Sequence, residues 1–238
     1  MNKGTLYLLP STMAEESINK SLVPYAKEII DKTIYFIVEN EKTARKFLKE
    51  AGIKTPQNDL QIEVYDKRSK GTSALQNYIA PLLAGHDIAL LSEAGCPAIA
   101  DPGAEIVAYA HRKGINVVPI VGPSSIILSL MASGFNGQSF AFHGYIPINK
   151  GERIQKIHEL EKASVKLRQT QLFIETPFRN NHLLDDILNT CQASTELSIS
   201  CDLTSGTEFI GTKTMAEWKK SKPDLHKRPT IFLLYKRF

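Results

Sequence analysis

The sequence predicts an α/β protein of two domains, an N-terminal one on a parallel sheet and a C-terminal one on a mixed sheet. Two observations predict it. In the first half, short apolar runs alternate with helical patterns, the signature of parallel strands covered on both faces. In the second half, two β-rich runs meet through Ser205-Gly206, as in a hairpin, which makes that sheet mixed. The domains are expected at residues 1–121 and 122–238, with the boundary in VGPSS (121–125).

TLYLL (5–9) and TIYFIV (33–38) are β-rich and apolar, LQIEVY (60–65) alternates, and DIALL (87–91) is short and apolar. INVVPI (115–120) follows a glycine-terminated helix. Helical patterns lie between these runs at 41–51, where Glu41 precedes Arg45 by one turn, at 74–84 and at 104–113. Residues 122–134 read as a helix with Pro and Ser at its start and Gly at its end. Then follow a strand at 139–145, a charged helix at 151–168, a strand at 171–176 and a helix at 178–190. Strands at 196–204, 207–214 and 229–237 complete the chain.

Bulk properties bound the function. The chain has 238 residues, 42% of them hydrophobic, and a net charge of +4, which permits an anionic partner without demanding one. Cys96, Cys191 and Cys201 have neither metal-ligand spacing nor an even count, as expected of reduced thiols in a cytoplasm. The six histidines have no ligand spacing, so no metal is expected. No run approaches the ~20 apolar residues of a membrane span, and the N-terminus has too short an apolar run for a signal peptide.

Chemistry is expected at the strand ends. Parallel sheets bind ligands beyond the carboxyl ends of their strands. Three loops sit there: Pro10-Ser11-Thr12, Ser92 to Gly103, and Val121 to Ser125. Neither a dinucleotide fingerprint nor a phosphate-cradling Walker loop is present. The loops are rich in Pro, Ser and Ala, and suit an uncharged, hydrogen-bonding, adenosine-like group held by backbone.

Candidate polar side chains each have two readings. Glu39 ends a strand before a helix, so it either faces the ligand or caps the helix. Glu93 holds a ligand's amino or ribose groups, or is a solvated loop acid. Asp101 precedes Pro-Gly and a helix, where an N-cap role is expected beside a cofactor contact. Glu175 and Arg179 flank Thr176-Pro177 and form an ion pair or meet an anionic substrate. Lys67 and Arg68 are phosphate candidates or exposed surface. Thr204 and Glu208 are substrate-side candidates.

SEAGCPAIADPG (92–103) resembles the S-D-A-G-T-P-x-I-S-D-P-G signature of the tetrapyrrole methylase superfamily. The branch it resembles most is the bacterial small-subunit ribosomal RNA ribose 2′-O-methyltransferases. FIVENEKTARKFL (36–48) resembles that branch's strand–E-D-T-R–helix segment, and VVPIVGPSSIILSLMASG (117–134) its P-x-P-G-P-S-A segment. FAFHGYIP (140–147) resembles F-x-F-x-G-F-L-P, LFIETPFRNNHLLDDI (172–187) resembles F-Y-E-S-P-H-R, and CDLTSGTEFIGTKTM (201–215) resembles R-E-L-T-K-x-H-E. There are departures. Of the branch's A-T-P-I-G-N loop only Pro10 is kept. Asn40 replaces an acid, Glu93 an Asp, Phe178 a His and Ser205 a Lys.

The resemblance implies a homodimer of two α/β domains with S-adenosylmethionine in the cleft between them. Its methionine and ribose would contact Pro10, Ser92, Glu93, Ala94, Gly95, Ala98 and Asp101, with Gly122, Ser124 and Ser125 along the same cleft. Its adenine would lie near Phe142, Tyr145, Pro229 and Thr230. Glu39, Glu175 and Arg179 are the expected catalytic residues, and Lys67, Arg68, Thr204 and Glu208 the expected substrate contacts. The expected activity is methyl transfer to the ribose 2′-hydroxyl of ribosomal RNA, in the cytoplasm. The alternatives are a methyltransferase of a tetrapyrrole or other small molecule, and a cofactor-binding homologue that has lost catalysis.

Overall fold

The computed structural model describes residues 2–15, 17–65 and 72–237. The chain divides into two compact units, residues 1–124 and 125–238.

The first unit carries β1 (Thr5–Leu9), α1 (Ile18–Ser21), α2 (Pro24–Lys32), β2 (Tyr35–Val38), α3 (Glu41–Glu50) and β3 (Gln61–Val64). It continues with α4 (Thr72–Tyr78), α5 (Ala80–Leu83), β4 (Ile88–Leu91), α6 (Ala104–Arg112) and β5 (Asn116–Pro119). The five strands are parallel, in the order β3-β2-β4-β1-β5. Side chains alternate between faces along each strand. Tyr7, Leu9, Phe36, Val38, Ala89 and Leu91 pack with α2 and α3 on one face. Leu6, Ile37, Ile88 and Leu90 pack with α4, α5 and α6 on the other. Both faces are therefore covered, which is why DIALL reads as a continuous apolar run.

This topology fixes where a ligand belongs. β2 leads through α3 to β3 at one edge. Its neighbour β4 leads through α6, on the opposite face, to β5 at the other edge. The adjacent carboxyl ends of β2 and β4 are thus the switch point of the sheet, where chain connections part and leave a crevice.

The second unit carries α7 (Ser125–Ser133), β6 (Phe140–Tyr145), α8 (Lys150–Leu167) and β7 (Thr170–Ile174). A 3₁₀ turn at Pro177–Arg179 leads into α9 (Asn180–Thr190), followed by β8 (Glu196–Cys201), β9 (Phe209–Thr214), α10 (Met215–Trp218) and β10 (Thr230–Tyr235). The strand order is β6-β7-β10-β8-β9; β6 and β7 are parallel, and the other neighbours antiparallel. Phe173, Leu197, Ile199, Phe232 and Leu234 face α8, α9 and α10. Leu172, Ile231 and Leu233 face Ile126 and Leu130 of α7. The carboxyl ends of β6, β7 and β8 and the amino ends of β9 and β10 lie at one rim of this sheet.

Several local expectations change. The helix expected at 74–84 is two helices, because Pro81 near the start of α5 has no N–H to continue the ladder. Residues 18–32, read without an element, hold α1 and α2; Pro24 opens α2, and Ala26, Ile29 and Ile30 form its buried face. The helix expected from 178 starts at Asn180, after the 3₁₀ turn. The link from β8 to β9 is longer than a two-residue turn, and Asp202 and Thr204 in it adopt left-handed φ values of 49° and 71°.

Candidate functional site

In the first unit, the ends of β1, β2 and β4 surround a hollow with about 220 Å³ of empty space. Ser11, Glu39, Asn40, Thr43, Ser92 and Glu93 give it a polar lining over Val38, Ala44 and Phe47. It lies at the switch point that the topology selects. A hollow this small and polar takes one polar part of a larger ligand.

The lining is held by a short network. Ser11 and Gly95 exchange two backbone hydrogen bonds, Ser11 N–H to Gly95 O at 2.9 Å and Gly95 N–H to Ser11 O at 3.1 Å. Ser11 Oγ donates to Ser92 O at 2.7 Å, and Ser92 Oγ to Gly95 O at 2.8 Å. The first loop is thereby tied to the SEAGCPAIADPG loop. Gly95 has φ +76°, and a Cβ there would lie 3.3 Å from Pro123 O. Gly122 approaches Pro10 so closely that a Cβ would sit 2.3 Å from the Pro10 Cβ. Ala98 and Ala100 adopt φ values of 65° and 61°. Left-handed alanines cost energy, and such strain concentrates at functional loops.

The electrostatics discriminate between ligands. Two carboxylates, Glu39 and Glu93, line the hollow, and among its described lining residues there is no Lys or Arg. It fits hydroxyls and cationic groups and repels phosphate. Thr43 Oγ1 donates to Glu93 Oε1 at 2.6 Å, which orients that carboxylate. Asn40, not Glu39, caps α3: its Oδ1 accepts from Lys42 N at 2.9 Å and Thr43 N at 3.3 Å. Asp101 is not the cap of α6 either. Gly103, at φ +119°, holds that position with no side-chain cap. Cys96 Sγ donates to Pro123 O at 3.3 Å, and burial pushes its thiol pKa up, so it anchors the loop as a thiol.

The other first-unit candidates fall around this network. Pro10 follows β1 directly, and Ala94 is exposed beside Glu93. Gly122 and Ser124 follow β5 and end the first unit. Lys67 and Arg68 lie outside the described residues.

In the second unit the rim gathers most of the remaining candidates; Ser125 opens α7. Glu175 follows β7 and is buried, with its side chain 1% exposed. Its Oε1 accepts from Arg179 Nη2 at 2.6 Å and from Thr176 N at 2.6 Å. Burial pushes the Glu175 pKa up, but the hydrogen bonds from Arg179 and Thr176 outweigh it, and the carboxyl is held below its ordinary value. Glu175 Oε2 and Arg179 Nε are buried and have no hydrogen-bond partner among the described residues. Thr204 N–H donates to Glu208 Oε2 at 2.7 Å. Thr230 Oγ1 donates to Arg228 O at 2.9 Å, and Arg228 Nε pairs with Asp202 at 2.8 Å. Tyr145 is exposed at the end of β6, where Gly144 at φ +66° coincides with a register shift after Phe142. His143 Nε2 meets Gln171 Oε1 at 2.6 Å, and burial lowers its pKa.

The sequence reading misses Asn40 and Thr43 as lining residues. The signal was present: a side-chain cap at a helix start carries the residue three positions on to the same end. It also misses Asp202 and Arg228, whose pairing across two loops leaves no spacing to read.

No family model matches the chain. Curated relatives do. It is 34% identical over 188 residues to ribosomal RNA small subunit methyltransferase I of Halalkalibacterium halodurans, across 79% of this chain and 60% of that protein. Its identity to the protein of the same name from Vibrio cholerae is 30% over 212 residues, or 89% and 69% of the two chains. For the Synechocystis protein the identity is 30% over 201 residues, or 84% and 67%. The chain thus spans between 60% and 69% of the length of these three relatives. Identity at this level over most of the chain, with the signature loop built into the sheet's switch point, shows that the chain belongs to the ribosomal RNA small subunit methyltransferase I family, within the tetrapyrrole methylases.

Proposed function

We propose that this chain transfers a methyl group from S-adenosylmethionine to small-subunit ribosomal RNA, with a ribose 2′-hydroxyl as acceptor. The observation that carries the reading is the acid-lined, cation-free hollow at the switch point of a chain in this family. S-adenosylmethionine bears an ammonium, a sulfonium and a ribose diol, the groups that Glu93 and a set of hydroxyls and backbone groups bind, leaving the second carboxylate, Glu39, for the acceptor.

When bound, the cofactor supplies an activated methyl group on a positively charged sulfur. The remaining work is alignment, which can provide ~7–11 kcal/mol of a displacement barrier. On this reading Pro10, Ser92, Glu93, Ala94, Gly95, Ala98, Asp101, Gly122, Ser124 and Ser125 hold the methionine and ribose. Phe142, Tyr145, Pro229 and Thr230 border the adenine. A ribose hydroxyl is poorly acidic, so a base beside it helps; Glu39 is the carboxylate we assign to accept that proton. Arg179, held by Glu175, presents its guanidinium to a substrate phosphate. Thr204 and Glu208 complete the substrate side, with Lys67 and Arg68 as further phosphate contacts. We further propose a cytoplasmic homodimer with its domain boundary within residues 121–125. No helix among the described residues is long and apolar enough to cross a membrane.

The test is methyl transfer from radiolabelled S-adenosylmethionine to small ribosomal subunits, and to their free RNA, from a strain lacking the corresponding enzyme. Label in RNA, resistant to alkali at one position, supports the reading. Cofactor binding by calorimetry without label in RNA would move the acceptor to a small molecule or leave only a binding role.

A further inference from the structure

Phe178 stands 65% exposed at the rim of the second unit. Single exposed apolar residues need no explanation, but this one sits in a built surround. The His226 ring meets it edge-on at 6.2 Å and 76°. Lys227 Nζ lies 5.8 Å from its ring centre. Among the described residues Lys227 forms no ion pair, so its charge is available to a ligand.

The surround is rigid. The segment 224–228 is clamped to the 3₁₀ turn and the start of α9 by four hydrogen bonds. Lys227 N–H donates to Pro177 O at 3.0 Å and Leu225 N–H to Asn181 Oδ1 at 2.8 Å. Asn180 Nδ2 donates to Arg228 O at 2.7 Å and Asn181 Nδ2 to Asp224 Oδ1 at 2.8 Å. Lys227 itself is held at φ 59°, an unfavourable value for a residue with a side chain. The strained backbone fixes a lysine beside a largely exposed aromatic ring. One residue on, Arg179 adds a second cation, tethered by Glu175.

We propose that Phe178, flanked by His226 and Lys227, is a stacking platform for one unpaired nucleobase of the RNA substrate, with Lys227 at the adjoining phosphate. A flat aromatic beside a free cation is the combination by which single-stranded RNA is held without reading its sequence. The inference rests on the RNA reading above and adds a contact outside the cofactor site.

The test uses the full chain with short oligoadenylate and with an abasic ribose-phosphate oligomer of the same length. Phe178→Ala is expected to weaken oligoadenylate binding at least about fivefold and to leave abasic binding and S-adenosylmethionine binding unchanged. Phe178→Trp is expected to restore affinity. The one native tryptophan, Trp218, is buried, so quenching of the introduced indole by oligoadenylate, and not by the abasic oligomer, reports stacking directly. Equal binding of the two oligomers by the unaltered chain overturns the platform while the RNA reading stands. So does an unweakened Phe178→Ala chain. If the unaltered chain binds neither oligomer and places no label in ribosomal RNA, the RNA reading falls and the platform with it.

Discussion

Glu175 shows how one residue's surroundings become a measurable property. Its carboxylate is buried, and its low pKa depends on Arg179 and the Thr176 amide. Arg179→Met removes the charge and leaves the acid inside. The variant is expected to be less stable, though by less than breaking a fully buried pair, because the Arg179 side chain is 35% exposed and screened by solvent. The sign with pH follows. The folded wild-type pKa is depressed, so the stability from this group is present above the unfolded value and is lost as pH falls through the folded one. In the variant only the Thr176 hydrogen bond still opposes burial, and the acid takes up a proton earlier. Urea midpoints are therefore expected to differ most near pH 7 and to converge towards pH 4. A gap that stays constant over that range would refute an electrostatic role. The ion pair was legible as one of two readings, because Glu and Arg four apart around Thr-Pro meet at a turn. Which residue caps a helix was not: Asn40 and Gly103 take the places that Glu39 and Asp101 were read into, since caps depend on loop geometry that residue type only biases.

At the scale of the element, the loop from Ser92 to Gly103 joins sequence to site. Its glycines and prolines mark it as more than a connection. Gly95 is the position where the requirement is sharpest, because its φ is +76° and its amide and carbonyl both bond to Ser11. Gly95→Val adds branched carbon against Pro123 O and a φ that costs roughly 1–2 kcal/mol. For a chain of this length that is a fall of about 2–8 °C in Tm, with the cores intact. Calorimetry is expected to show S-adenosylmethionine binding abolished; binding at wild-type affinity would remove the loop from the cofactor site. The strands were legible here because both faces of β4 and β2 are buried and period-two or continuous apolar runs survive in the sequence. The breaks were less so. Pro81 splits a helix whose apolar pattern runs on unbroken, and α2 hides its buried stripe of Ala26, Ile29 and Ile30 among charged neighbours.

At the scale of the whole molecule, the two sheets differ in the way the sequence implies, parallel where strands alternate with helices and mixed where β8 turns directly into β9. Charge is the remaining global property. The chain has 29 Lys and Arg against 25 Asp and Glu, and many of its cations are paired, as Arg153 is with Asp186 and Arg228 with Asp202. The proposed RNA surface draws on a small set of cations, Lys227 and Arg179 among them. For single strands, the slope of log K against log salt is about −0.7 for each phosphate neutralised. Three to five contacts predict a slope of about −2 to −4, well short of the −7 or steeper given by about ten. Titrations of oligoadenylate at several potassium chloride concentrations measure it. Phe178→Ala should leave the slope unchanged while lowering the affinity, since stacking releases no counterions. Lys227→Ala should flatten it by about 0.7. A slope near zero for the unaltered chain would mean that phosphates are not contacted, and the charge side of the proposed RNA surface would be wrong.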